Sequence, residues 1–447
     1  MSHSTIARVF RGSIIHSRIV PEVDILPDAL IGVNKQGKIA FFEANVGDQL
    51  VSLCQKYAIE TSMIEDLGSR ILIPGFVDTH THAPQYHFGG TGMDLPLLQW
   101  LEKYTFPCES KMSDSEHART IYRKALRRNA INGSTTTCYF ATIYLESSKV
   151  LIDELKASGA RALVGKVNMD RNAPDFYVEK DVASSVAETE AFVQYVQSAG
   201  GPLLHAVITP RFVPTCSSEL MKGLGALASK YDLRIQSHIS ENRDEVSWVA
   251  SLHPEQNNYG HVYEAHDLLN KKTIMAHGCY MTEDEMKMFE KYSVGLAHCP
   301  NSNFSLCSGI LDVRQFINRK MKVGLGTDVA GGYAPSMLDA IRRAVDASKV
   351  LYTLKGEHPT PLSFLEAFSL ATLGGAQVTC LDEEIGSFEV GKAFDALLVD
   401  PLVTGSPIDI FKEDSLEDTF LKFLSNGDDR NLASIFVNGQ DILPALQ

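Results

Sequence analysis

Phe76-Val-Asp-Thr-His80 is a short β-rich run that closes on a histidine, directly after Pro74-Gly75. Similar runs follow along the chain: Ser134–Phe140, Ala162–Val167, Leu204–Thr209, Arg234–His238, Thr273–His277, Val294–His298 and Val323–Thr327. Between them stand segments with apolar residues at helical spacing, among them Ser115–Ile131, Lys149–Ala157, Val182–Gln197, Ser217–Lys230 and Thr282–Lys291. Thr282-Glu-Asp-Glu285, and Ser115 with Glu116 behind it, supply helix N-cap chemistry. Strand then helix, eight times over, predicts an α/β fold, a (β/α)8 barrel of the TIM type with parallel strands. An open doubly wound sheet would place a glycine-rich dinucleotide turn after its first strand. No G-x-G-x-x-G follows Phe76–His80.

The two ends of the chain read differently. Ile31–Val33 and Lys38–Phe42 flank Asn34-Lys35-Gln36-Gly37 as a hairpin. Ala396–Val399 and Ser434–Val437 read as strands, with Asn438-Gly439 as a turn. The ends together predict a small β-sandwich domain from residues 1–72 and 382–447, around a catalytic barrel of residues 73–381. Pro74-Gly75 and the stretch Gly386 to Gly391 mark the crossings. Residues 1–20 carry Arg8, Arg11 and Arg18 and no acid, as a weak transit peptide would. Val9, Ile14 and Ile15 among polar neighbours favour an edge strand there instead.

Composition narrows the function classes. The chain has 447 residues, 44% of them hydrophobic and 21% charged, enough for one large soluble domain and a small one. A net charge of −14 argues against nucleic-acid and anionic-membrane partners, though not against a single nucleobase, which has no phosphate. The apolar run Ile71 to Val77 is broken by Pro74 and Gly75, and no run reaches the roughly 18 residues of a membrane helix. The 8 cysteines are scattered with no C-x-x-C pair, which fits reduced thiols and a cytoplasmic location.

In such a barrel the reactive groups gather at the C-terminal ends of the strands. The first run leads into Asp78-Thr-His80-Thr-His82, the fifth ends in Ser237-His238 with Glu241 close behind, and the sixth ends in His277. The seventh ends in His298, and Asp328 follows the eighth. His80 and His82 are two apart and face one side of a strand. With His238 and Asp328 they make three imidazole nitrogens and one carboxylate oxygen, a set that suits Zn(2+), with iron second. A divalent ion lowers the pKa of bound water to about 7 and supplies hydroxide for hydrolysis. Glu241 is the candidate acid/base, protonating a ring nitrogen as hydroxide attacks; the other reading makes it a surface acid in Glu241-Asn-Arg-Asp-Glu245. Asp328 can bind the metal and take the proton of its water. His277 could ligate, or polarise the hydroxyl formed on the attacked carbon. His298 either shapes the rim or takes a direct part.

Pro74-Gly-Phe-Val-Asp-Thr-His80-Thr-His82, Ser237-His238-Ile-Ser-Glu241, Met275-Ala-His277-Gly278, Ala297-His-Cys-Pro-Asn-Ser-Asn303 and Gly324-Leu-Gly-Thr-Asp328 together resemble the amidohydrolase superfamily. The likeness runs on through Gly386-Ser-Phe-Glu-Val-Gly-Lys392 and Asp395. Within the superfamily, Asp94 to Pro107, Thr209-Pro-Arg211-Phe212 and Asp328-Val-Ala-Gly-Gly-Tyr333 are most similar to the branch that deaminates guanine. The resemblance implies zinc-dependent hydrolysis of guanine at C2 to xanthine and ammonia. It implies His80, His82, His238 and Asp328 as ligands, Glu241 as proton shuttle, guanine contacts from Gln85, Arg211 and Phe212, and a homodimer.

The residue chemistry agrees. Guanine offers O6 and N7 as neighbouring acceptors, which suits the forked guanidinium of Arg211. Gln85 has a donor and an acceptor for an amidine edge, unless it is a loop residue facing water. Phe212 either stacks on the purine or plugs the rim. Some superfamily members bridge two ions with a carboxylated lysine at the end of the fourth strand. Leu204–Thr209 has none, so one metal per chain is expected and Lys166, closing the third run, takes a structural or surface role. Asp94–Pro107, with Trp100, is the expected lid. The same fold could instead serve cytosine, S-adenosylhomocysteine or an aminotriazine, or persist as a non-catalytic assembly protein, but the latter would have lost ligands that are all present here. The deaminase fold with H-x-E and P-C-x-x-C is excluded, because no such cysteine pair follows His253-Pro-Glu255.

Overall fold

The computed structural model describes residues 5–199, 201–356, 358 and 360–446. Eight parallel strands form the barrel: Phe76–His82, Ser134–Phe140, Arg161–Gly165, Leu204–Pro210, Arg234–Ile239, Thr273–His277, Gly295–His298 and Val323–Leu325. They neighbour one another in chain order. The seam between the last and the first is closed by backbone bonds from Asp328 N to His80 O (2.9 Å) and from His82 N to Val329 O (3.0 Å). Gly324 allows that approach: a Cβ there would lie 2.7 Å from Thr79 Cγ2.

The interior is packed, not a pore. Val77, Cys138, Leu163, Val207, Ile274 and Ala297 point inward from different strands, and Ala376, Val378 and Leu381 close the bottom. Burying each of the larger aliphatic side chains contributes about 1.5–3 kcal/mol. The outer helices follow the apolar spacing. Ser115–Ile131 buries Ala118, Ile121, Tyr122, Ala125 and Leu126 on one face. Its cap is Asp114, one residue before the expected Ser115; the Asp114 carboxylate accepts from Glu116 N (2.9 Å) and His117 N. Thr282 and Glu285 form the reciprocal capping box expected of them.

The ends meet in one continuous seven-stranded sheet, in the order Gln440–Asp441, Leu432–Val437, Ala396–Val399, Ile64–Pro74, Ile6–His16, Asp24–Asn34, Ile39–Ala44. Phe10, Phe394 and Phe436 form its aromatic core. Ile6–His16 is an inner strand and not an edge: it pairs parallel with Ile64–Pro74 and antiparallel with Asp24–Asn34. Its polar positions hid this, because Arg11 is tied to Asp28 by two hydrogen bonds within the sheet. Arg161 at the start of the third barrel strand and Asp395 join sheet to barrel by a buried bidentate pair (3.0 and 3.2 Å).

Candidate metal centre and purine pocket

The first barrel strand runs through His82, so His80 and His82 both leave it at the barrel mouth. His238 and His277 stand at the ends of the fifth and sixth strands, and Asp328 follows the eighth. His80 Nε2 lies 3.2 Å and His82 Nε2 3.5 Å from Asp328 Oδ1. His82 Nε2 and His238 Nε2 are 3.2 Å apart. The carbonyl of Arg211 accepts from His238 Nδ1 at 2.6 Å, which fixes the tautomer and turns the Nε2 lone pair inward. Burial pushes His82 and His238 well below the ordinary imidazole range, and lowers His80 too. Lone pairs of neutral rings thus face each other, and His80 Nε2 and His82 Nδ1 are buried without a hydrogen-bond partner. A divalent cation fits that cluster.

Asp328 is held well below the usual carboxylate range: burial opposes this, but the surrounding histidines, His80 foremost, outweigh it. His277 Nε2 sits 3.6 Å from Asp328 Oδ2 and 3.5 Å from Glu241 Oε2. Burial works against a charged His277, but the two carboxylates raise its pKa overall. Asn303 Oδ1 accepts from His277 Nδ1 at 2.9 Å and orients the ring. His277, Asp328 and Ser240 all adopt left-handed backbone (φ 77°, 47° and 49°), a strained conformation held by the surrounding packing.

Glu241 is buried, which removes the surface-acid reading. Burial raises its pKa; His277 and the Ser308 hydroxyl, which donates to Glu241 Oε1 at 2.8 Å, work in the other direction. Glu245 of the same charged run is also buried and accepts from Glu241 N (2.8 Å) and Tyr259 Oη (2.9 Å), with its pKa pushed by burial up to about 7.

Beside these groups opens a pocket lined by His82, Gln85, Arg211, Phe212, His238, Glu241, His277 and Asp328. Leu97, Trp100 and Leu101 cover it from the segment expected as a lid, here helical with a wider π turn over Leu101–Thr105. Phe212 lies edge-on to His238, with ring centroids 6.5 Å apart.

Other expectations separate from the site. Lys166 is fully buried in an ion pair with Glu179, so its surface reading falls and its structural one stands. The third strand ends before it, at Gly165. His298 is fully buried with neither ring nitrogen partnered, its pKa lowered by burial to about 3, and it is not among the cavity-lining residues. Residues that the sequence reading missed hold the site together: Glu109, Asn303, Ser308 and Cys299, whose Sγ clusters with the ligand atoms of His80 and Asp328. A buried arginine such as Arg211 demands an anion, but nothing local pointed to Glu109 as that anion.

The amidohydrolase family pattern matches residues 71–441. The guanine deaminase of Dictyostelium discoideum is 46% identical over 99% of this chain and 99% of its own length. That of Mus musculus is 47% identical over 98% of this chain and 97% of its own. A crystal structure of guanine deaminase from C. acetobutylicum, with guanine bound in its active site, superposes with a TM-score of 0.89 at 37% identity, covering 98% of this chain and all of that one.

Proposed function

The chain belongs to the amidohydrolase family, and from that premise we propose that it hydrolyses guanine at C2, giving xanthine and ammonia, in purine catabolism. One observation carries the reading. Gln85 and Arg211, the pair suited to a purine edge, line the same cavity as the histidine–aspartate cluster and Glu241.

His80, His82, His238 and Asp328 would hold the ion, and the three-imidazole, one-carboxylate set favours a single Zn(2+) over iron. When bound, the ion supplies a hydroxide nucleophile at neutral pH. The chain's own residues do the rest. Arg211 orients the base through O6 and N7, and Gln85 pairs with the amidine edge, so that C2 faces the hydrolytic centre. Phe212 packs against the purine at the cavity wall. Glu241, with its raised pKa, takes one proton of the attacking water and passes it to the ring nitrogen beside C2, and Asp328 takes the second from the oxygen added at C2 and returns it to the departing amine. His277, whose pKa Glu241 and Asp328 raise against the effect of burial, stands beside both carboxylates and in its protonated form donates toward the oxygen added at C2. Water adds at C2, the C2–N bond breaks, and ammonia leaves.

The same reading takes residues 73–381 as the catalytic unit and 1–72 with 382–447 as the small β unit. It takes the enzyme as a cytoplasmic homodimer without nucleic-acid or membrane partners. The unpaired state of all the cysteines supports the reducing compartment. Among the described residues no helix is long and apolar enough to cross a membrane.

The test is ammonia release by the purified protein from guanine, adenine and cytosine, with a chelator control. Ammonia and xanthine from guanine alone, lost on metal removal, is the expected result. Turnover of another base instead would overturn the roles given to Gln85 and Arg211.

A further inference from the structure

We propose that Glu109 is the positioning residue that makes Gln85 and Arg211 one recognition unit; the inference rests on the guanine reading above. Glu109 ends the helical segment that covers the pocket, and its side chain has 0% exposure. It accepts from Gln85 Nε2 (2.8 Å), Arg211 Nη1 (2.7 Å), Arg211 Nη2 (3.2 Å) and Tyr177 Oη (2.7 Å). An ionised carboxylate has about four acceptor sites, so Glu109 is saturated and keeps nothing for a substrate. It is not among the residues lining the cavity. Its effect passes through the two side chains that are.

The consequence is sharpest at Gln85. Its Nε2 is committed to Glu109, and its Oε1 accepts from Ala330 N at 3.2 Å. The amide therefore cannot exchange its ends. One remaining N–H and one remaining lone pair are left for the ligand, in a set order. At Arg211, the carboxylate neutralises a buried guanidinium and fixes its plane, which also rests on the Phe106 ring 5.2 Å away. Phe106 and Glu109 belong to the same short helix, whose neighbouring turns place Leu97, Trp100 and Leu101 on the cavity. Pocket cover and base recognition are thus tied through one carboxylate.

Charge alone does not explain the choice of residue; acceptor count does. In Glu109→Gln one acceptor becomes a donor: at the Oε1 position it meets Gln85 Nε2 and Arg211 Nη2, at the Oε2 position Arg211 Nη1 and the Tyr177 hydroxyl. A half-turn of the Gln85 amide relieves its own clash, at the cost of its bond with Ala330 N and of the donor–acceptor order on the ligand side, whereas Arg211, which has donors only, can relieve its clash only by shifting its plane. The loss falls on recognition, not on the proton-transfer machinery.

The experiment compares the wild type with Glu109→Gln and Glu109→Asp. It measures guanine kinetics and the inhibition constants of hypoxanthine, which keeps O6, and purine, which lacks it. For Glu109→Gln, KM for guanine rises about ten- to a hundredfold, with kcat within about threefold. Hypoxanthine loses most of its advantage over purine, a ratio that a merely structural defect would not move. Glu109→Asp keeps the charge and recovers part of both. If Glu109→Gln does not fold, Glu109→Asp is read alone, with an expected rise in KM of about three- to tenfold. Unchanged KM and unchanged hypoxanthine-to-purine ratio in a folded variant would overturn the proposal, as would a fall in kcat with KM unmoved. Absence of guanine turnover by the wild type would instead overturn the substrate reading, and this proposal with it.

Discussion

Glu241→Gln separates proton transfer from every other task at the site. The substitution keeps the side chain's shape, and the Ser308 hydroxyl still has an oxygen to donate to across 2.8 Å. Nothing in the histidine–aspartate cluster moves, because Glu241 is not one of the proposed ligands. What is lost is a group able to hold and release a proton, a loss of about 10²–10⁴ in kcat, or about 3–5.5 kcal/mol of barrier. A smaller penalty adds to it. The carboxylate that His277 Nε2 faces at 3.5 Å is gone, so the His277 pKa falls and the ring loses part of its ability to donate toward the added oxygen. KM stays within about threefold, because the interactions with the base lie at Gln85 and Arg211. The assay is steady-state ammonia release, with zinc content by elemental analysis as the control. A variant that retains its metal and keeps kcat within about tenfold of the wild type would refute the assignment of Glu241 as proton shuttle.

Three further outcomes follow from the same geometry. In Ser308→Ala the carboxylate loses a hydrogen bond that favours its ionised form, so the Glu241 limb of the kcat/KM profile moves to higher pH; an unmoved profile would assign that limb to another group. His298 is held at about 3 in the folded chain against an ordinary 6.5, so the unfolded chain binds the extra proton and stability falls as pH drops through that window. Between pH 7 and 5 this one group costs about 2 kcal/mol, and denaturant titrations of wild type and His298→Gln should differ in pH dependence by that amount; parallel curves would refute it. Chelation should abolish ammonia release reversibly and lower the unfolding midpoint, by about 3 kcal/mol in stability relative to metal at a hundredfold over Kd. It should leave far-UV circular dichroism intact, because the barrel core is apolar and independent of the ion. Full activity after verified metal loss would contradict the hydrolytic reading.

Much of the barrel was legible because its strands share one rule: each brings its C-terminal end to the same mouth. A histidine at the end of Thr273–His277 and another in Arg234–Ile239 therefore meet, whatever the intervening helices do. Boundaries were less legible. The third strand stops at Gly165, because Lys166 turns away to Glu179. The helix at 115 is capped by Asp114, whose carboxylate accepts from two backbone amides at once. The N-terminal strand reads as an edge because Val9, Ile14 and Ile15 stand among polar residues, although one of these, Arg11, is spent on Asp28.

Fold class, the convergence of His80, His82, His238 and Asp328, and the likeness to a known family were all determined by the sequence alone, since local periodicity and strand-end chemistry carry that information. The tertiary structure decided the rest. It set which nitrogen of His238 carries the proton, through a carbonyl 27 residues away. It raised the pKa of Glu241 by burying it, and that of His277, against the effect of burial, by setting Glu241 and Asp328 beside it. It assembled the Glu109 network from partners 24, 68 and 102 residues distant. Such contacts have no period along the chain, and a single acid at position 109 looks like any other until folding places a buried guanidinium against it.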